Sequence, residues 1–190
     1  MKPKKGIQKE DKYSIDILKE QYELHKNYAL KRLEASKKLN AKIRLPIIPE
    51  DISENIIKFI IHKNGDNSSN WFCQGDLISS KEGKQECKCF TTQAPCSFTN
   101  KSSWDVIYFL DACNWLQDEF KLYRVPLLRT SPEWENIQIS KKEKFADQVS
   151  LRIRPRISWK NLYPQIQNHC QKIFDGPFEN IFLEETTNST

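Results

Sequence analysis

The amino-acid sequence predicts an α/β (α+β) fold in which a mixed central sheet of about four to five strands is flanked by helices. Residues 11–44 contain neither Pro nor Gly and are rich in Lys, Glu, Leu and Ala, which is typical of a long helical segment. Between residues 71 and 128, short apolar runs alternate with polar turns, which is typical of strands. A chain of 190 residues suits one core.

Composition excludes two classes of protein. Hydrophobic residues make up 38% and aromatic residues 11% of the chain, too many for a disordered protein. No stretch approaches the roughly 18 apolar residues of a membrane span. Residues 1–5 are charged, but no apolar segment follows them, so we expect no secretory signal and a cytoplasmic location.

The N-terminal helical segment carries one apolar stripe. Its members recur every three or four residues: Leu18, Tyr22, His25, Ala29 and Leu33. The stripe requires a partner, either the core or a second subunit. We therefore expect a basic tail and helical arm over residues 1–44, a core over 45–175 and a C-terminal tail over 176–190.

Prolines 46 and 49 end the arm, and a second, strongly apolar helix is predicted to begin at Glu50 or Ser53 and to end at Asn64 and Gly65. Four strands are then expected. Their ranges are residues 71–78, 86–91, 104–110 and 119–128. The third is the most apolar and should lie in the middle of the sheet.

The last part of the chain is predicted to return to helix. Ser131 and Pro132 are typical of an N-cap and a first helical residue. Residues 150–157 should be extended and place three arginines on one side, and residues 159–174 should form a closing helix. From Phe178 the chain is expected to trail off.

Charge is distributed unevenly. The net charge is +5, but residues 1–44 hold thirteen Lys/Arg against six Asp/Glu, and residues 141–160 hold seven against two. Two basic segments on one domain indicate a polyanionic partner. For residues 1–44, a solvated helix face explains the pattern equally well.

The six cysteines do not indicate a disulfide framework, because no secretory signal is expected. They contain no C-x-x-C pair, and the three histidines are scattered, which disfavours structural zinc. We interpret most of the cysteines as small buried residues.

The feature richest in chemistry is residues 75–88. An apolar run ends in Asp76, a turn containing Gly83 follows, and Glu86-Cys87-Lys88 opens the next run. If the two runs pair as antiparallel strands, the turn folds Asp76 back beside Glu86. Glu86 and Lys88 then share one face, while Cys87 and Cys89 point to the other. Two carboxylates at one point can hold a hard divalent cation.

Gly75-Asp76, nine residues and then Glu86-x-Lys88 resemble the motif of the PD-(D/E)XK nuclease superfamily, and within it the type II restriction endonucleases. Gly75 stands where the family usually has proline. The resemblance implies a restriction-endonuclease-like fold and Mg²⁺-dependent hydrolysis of double-stranded DNA at a short specific sequence. It also implies a homodimer and a cognate DNA methyltransferase that acts on the same sequence.

The resemblance implies residue roles as well. Asp76, Glu86 and the backbone carbonyl of Cys87 would bind Mg²⁺, and Lys88 would hold the attacking water. A helix before the strands often contributes an acid in this class, and Glu54 or Glu50 is the candidate by position. The alternative is an ordinary first-turn glutamate that favours the helix dipole.

Two segments are candidates for DNA contact. The polar loop after Lys88 supplies hydroxyls, amides and one amine: Gln93, Ser97, Thr99, Asn100 and Lys101. The basic segment supplies Arg152, Arg154 and Arg156, which on an extended edge could contact guanines or phosphates. The alternatives are plain surface chemistry for the loop and a charged protective edge for the arginines.

Three functions remain open from the sequence. A restriction endonuclease is the leading hypothesis. A nicking repair endonuclease or junction resolvase would keep the same fold. A non-catalytic DNA-binding module would not need the acids at all. Asp105 and Asp111 are interpreted as turn or capping residues.

Overall fold

The computed structural model describes residues 13–72, 76–99 and 102–183. The helices and strands of this part, in chain order, are α1 Ile15–Lys38, α2 Glu50–Lys63, β1 Asn70–Trp71, β2 Leu77–Ser79, β3 Gly83–Phe90, β4 Cys96–Ser97, β5 Val106–Asp111, β6 Glu119–Val125, α3 Pro132–Asn136, α4 Phe145–Ser150, β7 Arg156–Ile157, α5 Trp159–Ile166 and β8 Gln171–Pro177. Short 3₁₀ turns follow β5, α5 and β8. None of the helices in these ranges is long and apolar enough to cross a membrane.

Six strands form the main sheet in the order β1-β2-β3-β5-β6-β8. The β3 and β5 strands are parallel, and every other neighbouring pair is antiparallel. The mixed, helix-flanked sheet predicted from the sequence is confirmed, with slightly more strands than expected. As predicted, the most apolar strand, β5, lies inside the sheet.

The long helix α1 packs on the core. Leu18, Tyr22 and Ala29 are completely buried. The Tyr22 hydroxyl donates to the carbonyl of Trp115 at 2.7 Å and to Asp118 at 2.8 Å, and its ring stacks on Phe178. Of the two partners that the apolar stripe allowed, the structure shows the core.

Each face of the sheet has its own apolar cluster. On one face, α1 and α2 cover the inward side chains of β3, β5 and β6, including Cys87, Tyr108 and Leu110. On the other face, Phe109 packs with aromatic residues of the later helices, among them Trp134. Both faces of the sheet are thus covered, and the apolar contacts on the first face hold α2 against the strands.

The single strand predicted over residues 71–78 is wrong, because β1 and β2 are separate and antiparallel, with Trp71 opposite Leu77. Phe72 donates its N–H to the carbonyl of Asp76 at 3.3 Å, which closes a tight reversal. The reversal was missed because both halves are apolar and similar in pattern.

The helix predicted over residues 159–174 ends at Ile166, a 3₁₀ turn over Gln167–His169 follows, and strand β8 begins at Gln171. Pairing with β8 satisfies the backbone of β6, which would otherwise be an open sheet edge. Beyond it, Phe178 and Ile181 are buried in the core, so the chain does not trail off over residues 178–183.

The prediction that residues 150–157 form an extended segment is also wrong. Helix α4 occupies residues up to Ser150, and Arg152 has a left-handed backbone with φ of 59°. Only Arg156 lies in a strand, β7, which pairs with β4. The three arginines are exposed but do not form a single row.

Candidate active site

The start of α2, the β2–β3 hairpin and the loop after β3 enclose one cleft of about 450 Å³. Its charged lining residues are those singled out from the sequence: Glu50, Glu54, Asp76, Glu86 and Lys88. The apolar packing of α2 on the sheet places two acids of its N-terminal half against the hairpin.

The hairpin is built as the sequence predicts. Leu77 pairs with Gln85, a register that brings Asp76 opposite Glu86. The turn requires Gly83, whose φ is +72° and where a Cβ would lie 2.2 Å from the Asp105 carboxylate. The same carboxylate accepts the Lys84 N–H at 2.8 Å, so Asp105 is a turn residue, as expected.

Hydrogen bonds fix the side chains around the two acids. The Cys87 N–H donates to Asp76 Oδ2 at 2.7 Å. Lys88 Nζ donates to Glu86 Oε1 at 2.5 Å, and the Ser102 hydroxyl approaches the same oxygen at 3.4 Å. Glu86 is only 7% exposed, so its ion pair with Lys88 is shielded from water.

Burial and nearby carboxylates raise the pKa of two acids of the cleft, Glu54 and Asp76. Burial, followed by repulsion from Asp76 and Glu50, raises the pKa of Glu54 to about 8. Burial and repulsion from Glu86 raise the pKa of Asp76, although the Cys87 N–H opposes the shift. For Lys88, burial lowers the pKa, but attraction to Glu86 and Asp76 outweighs it, and the net shift is upward.

These features fit a hard divalent cation. Asp76 and Glu86 supply oxygen ligands, and the mutual repulsion of the acids is the electrostatic situation that a cation relieves. Since the N–H and C=O of a strand residue point to the same neighbour, the Cys87 carbonyl lies on the Asp76 edge. Within the described ranges no cluster of three or more His, Cys, Asp or Glu could hold a metal. Two carboxylates with remaining water ligands are typical of Mg²⁺ rather than of zinc.

The raised pKa of Glu54 predicts a pH-dependent stability in metal-free buffer. Between the ordinary value of 4.5 and about 8, folded Glu54 keeps a proton that the unfolded chain releases. Raising the pH over this window therefore costs stability. We expect the free energy of unfolding, from urea titrations in EDTA, to fall more steeply with pH for the wild type than for Glu54→Gln. Parallel pH profiles for the two proteins would contradict this assignment.

The structure brings some of the predicted DNA-contact residues to the cleft. Ser97 and Thr99 line it. Gln93 is exposed, and its amide contacts Cys113 Sγ at 3.9 Å. Asn100 and Lys101 lie outside the described residues, as do Gly75 and Cys73. Arg156 lies directly opposite Ser97 in the β4–β7 pair, next to the cleft.

Sequence reasoning did not single out Ser102. Its hydroxyl is hydrogen-bonded to Thr99 Oγ1 at 2.5 Å, and its N–H donates to the same Thr99 oxygen at 3.0 Å. This small turn holds a hydroxyl beside Glu86. The Thr-x-x-Ser spacing is a turn signal that could have identified it.

The prediction that most cysteines are buried is confirmed only in part, because Cys89, Cys113 and Cys170 are half-buried. Five are free thiols, and Cys87 and Cys96 are buried. Burial raises the pKa of Cys89 well above its ordinary value, so its thiol stays neutral. Asp111 accepts the Cys113 N–H at 3.0 Å and is a turn residue, as expected.

A mixed sheet, flanking helices and an acidic cleft on a strand hairpin define a restriction-endonuclease-like class of protein. A family model described as Bsp6I restriction endonuclease matches residues 11–165. The chain belongs to this family and is a type II site-specific deoxyribonuclease, whose substrate is DNA. The expected PD-(D/E)XK resemblance to type II restriction endonucleases is consistent with this membership. No curated protein and no solved structure shows a significant match.

Proposed function

We propose that the chain hydrolyses phosphodiester bonds of double-stranded DNA at a short specific sequence, using Mg²⁺ and the residues Asp76, Glu86 and Lys88. The observation that carries the proposal is their juxtaposition. An ammonium and two carboxylates meet on adjacent strands at the floor of one cleft. Members of this class generally use a divalent metal.

The two carboxylates have distinct surroundings. Asp76 Oδ2 is occupied by the Cys87 N–H, and Glu86 Oε1 by Lys88. Each acid therefore keeps one carboxylate oxygen for the ion, and the Cys87 carbonyl on the same edge adds a third ligand atom. Glu54, with Glu50 beside it in the cleft, would supply a further carboxylate for the ion. When bound, Mg²⁺ lowers the pKa of a ligand water and stabilises charge on the phosphate.

Lys88 positions the reaction. Its raised pKa keeps it protonated, so the ammonium can only donate hydrogen bonds. From its place beside Glu86 it can hold the attacking water and offset the charge that develops on the phosphate.

DNA would lie across the mouth of the cleft. Ser97 and Thr99 present hydroxyls and N–H groups there, which suit phosphate oxygens, and Arg156 adds a positive charge beside them. We place Gln93, Asn100 and Lys101 on the same approach. We propose that Arg152 and Arg154, which precede Arg156 in the same segment, also contact the DNA.

Two partners follow from this proposal. One chain carries one such cleft in its described part, whereas cleavage of a duplex requires attack on both strands. We therefore propose a homodimer, in which each subunit cuts one strand of a palindrome. We also propose a cognate methyltransferase, because an unmodified cellular genome would contain the same sequence.

Digestion of plasmid DNA tests the proposal. With Mg²⁺ we expect discrete linear fragments of the same lengths in every digestion. With excess EDTA we expect no cleavage, because the carboxylates cannot act without the ion. Persistent cleavage in EDTA would contradict the metal. Nicked circles alone, or cutting only at branched DNA, would instead favour the nicking or junction-resolving alternatives.

A further inference from the structure

The segment that joins α4 to β7, residues 151–154, exposes an unusual combination of side chains. We call it the arginine tip. Leu151 is 66% exposed and Ile153 is 51% exposed. Arg152 and Arg154 are exposed as well. Aliphatic and guanidinium groups thus alternate on a surface where nothing else in the described chain covers them.

The backbone of the tip is well defined. Leu151 caps α4, the Arg152 N–H donates to the Val149 carbonyl at 3.0 Å, and the Ile153 N–H donates to the Gln148 carbonyl at 2.9 Å. This is the Schellman pattern of helix ends. Its left-handed position usually carries glycine, but here it carries Arg152, with φ of 59°. An arginine at a position that favours glycine costs stability, and such outliers concentrate at functional sites.

The tip is tied to the rim of the catalytic cleft. The Pro155 carbonyl, one residue further on, accepts the Phe98 N–H at 2.9 Å. Next, Arg156 pairs with Ser97 and Ile157 with Cys96. Cys96 and Ser97 line the cleft. The tip is therefore held at a fixed position beside the place where we propose that DNA binds.

Charge decides which occupant suits the tip. In a symmetric contact centred on the tip, the tip faces its own copy, so the arginines of both copies would approach one another. A DNA duplex instead offers phosphates to the guanidinium groups and base edges to the aliphatic groups. Apolar side chains contact thymine methyls or base steps in the grooves.

We infer that the arginine tip enters a groove of the bound duplex, with Leu151 and Ile153 against the bases and Arg152 and Arg154 against the flanking phosphates. This inference rests on the proposed position of DNA over the Asp76–Glu86 cleft. It makes Leu151 and Ile153 contributors to sequence discrimination.

Competitive cleavage tests the inference with the full-length protein. The rate at the site mapped from plasmid digestion is compared with the rates at duplexes that differ by one base pair, all at limiting protein. For Leu151→Ser/Ile153→Ser we expect this discrimination to fall about tenfold or more, because the base contacts are lost. The salt dependence should stay as in the wild type, since no phosphate contact changes.

The arginines should give the opposite result. For Arg152→Gln/Arg154→Gln we expect all duplexes to be cut more slowly at limiting protein, with discrimination retained. The slope of log rate against log salt concentration should decrease in magnitude by about 1.8 for two lost phosphate contacts. Leu39→Ser is the matched control, because Leu39 is 68% exposed, follows the last residue of α1 and does not line the cleft, and it should behave as the wild type.

Unchanged discrimination in Leu151→Ser/Ile153→Ser would overturn the inference. If sedimentation experiments showed that the wild type is a dimer and this variant a monomer, the inference would also be overturned, since the tip would then be an interface between copies. The single variant Leu151→Ser provides the same readout with a smaller change to the surface. All these variants keep Asp76, Glu86 and Lys88 unchanged. A wrong assignment of those three residues would be detected separately, because variants of them would still cleave DNA.

Discussion

Lys88→Ala is expected to cleave DNA about 100- to 1,000-fold more slowly than the wild type, because a preorganised charge at the reacting phosphate is lost. The Lys88 ammonium is 2.5 Å from Glu86 and is partly buried. A water molecule in its place would interact more weakly with the charge on the phosphate. DNA affinity should change little, since a single inward-facing amine contributes at most one phosphate contact. Single-turnover cleavage and a binding titration separate the two effects.

Lys84→Ala is the matched control for this loss. Lys84 lies on the same strand and faces the same way, four residues earlier, but its ammonium contacts Ser103 rather than an acid of the triad. Its cleavage rate should remain within a few-fold of the wild type. Equal rates for Lys88→Ala and Lys84→Ala would remove Lys88 from the mechanism.

Tyr22→Ala should cost about 3–5 kcal/mol of unfolding free energy, as for other large aromatic truncations in a core. Tyr22 is completely buried, its hydroxyl has two acceptors, and its ring stacks on Phe178. The variant would therefore lose packing and one hydrogen bond, although the Trp115 carbonyl keeps the Asp118 N–H and Asp118 keeps its ion pair with Lys26. Urea denaturation followed by circular dichroism measures the change.

Tyr28→Ala, on the same helix, provides the comparison. Tyr28 is 53% exposed, so its truncation should cost no more than about 0.5 kcal/mol. A large difference between the two tyrosines means that α1 is part of the core. A small and equal effect would mean that α1 is a detachable arm, in conflict with the buried stripe.

Local signals predicted most of the fold. The Pro- and Gly-free segment, the proline break before Glu50 and the turn at Gly83 each specify their own conformation through nearby residues. The strand β8 was not predictable in this way. Its pairing with β6 is a long-range contact, and the preceding residues have an apolar spacing that suits either a helix or a strand.

The candidate site shows the same division. Asp76, Glu86 and Lys88 lie within one hairpin, so strand alternation and one turn were sufficient to predict their common face. Ser102 reaches Glu86 from a separate loop, and Arg152 has a left-handed backbone that only the helix end before it determines. The Thr-x-x-Ser spacing signals the turn at Ser102 but not its contact with Glu86, which depends on how the loop packs against the sheet.

The most direct test of the site is cleavage of the mapped duplex by Asp76→Asn and Glu86→Gln, which keep the shape of each side chain but remove its charge. With Mg²⁺, the account predicts single-turnover rates at least about 100-fold below that of the wild type. Both variants should still fold, with circular dichroism spectra like that of the wild type. Cleavage at the wild-type rate by either variant would contradict the assignment of that carboxylate to the metal and to the reaction.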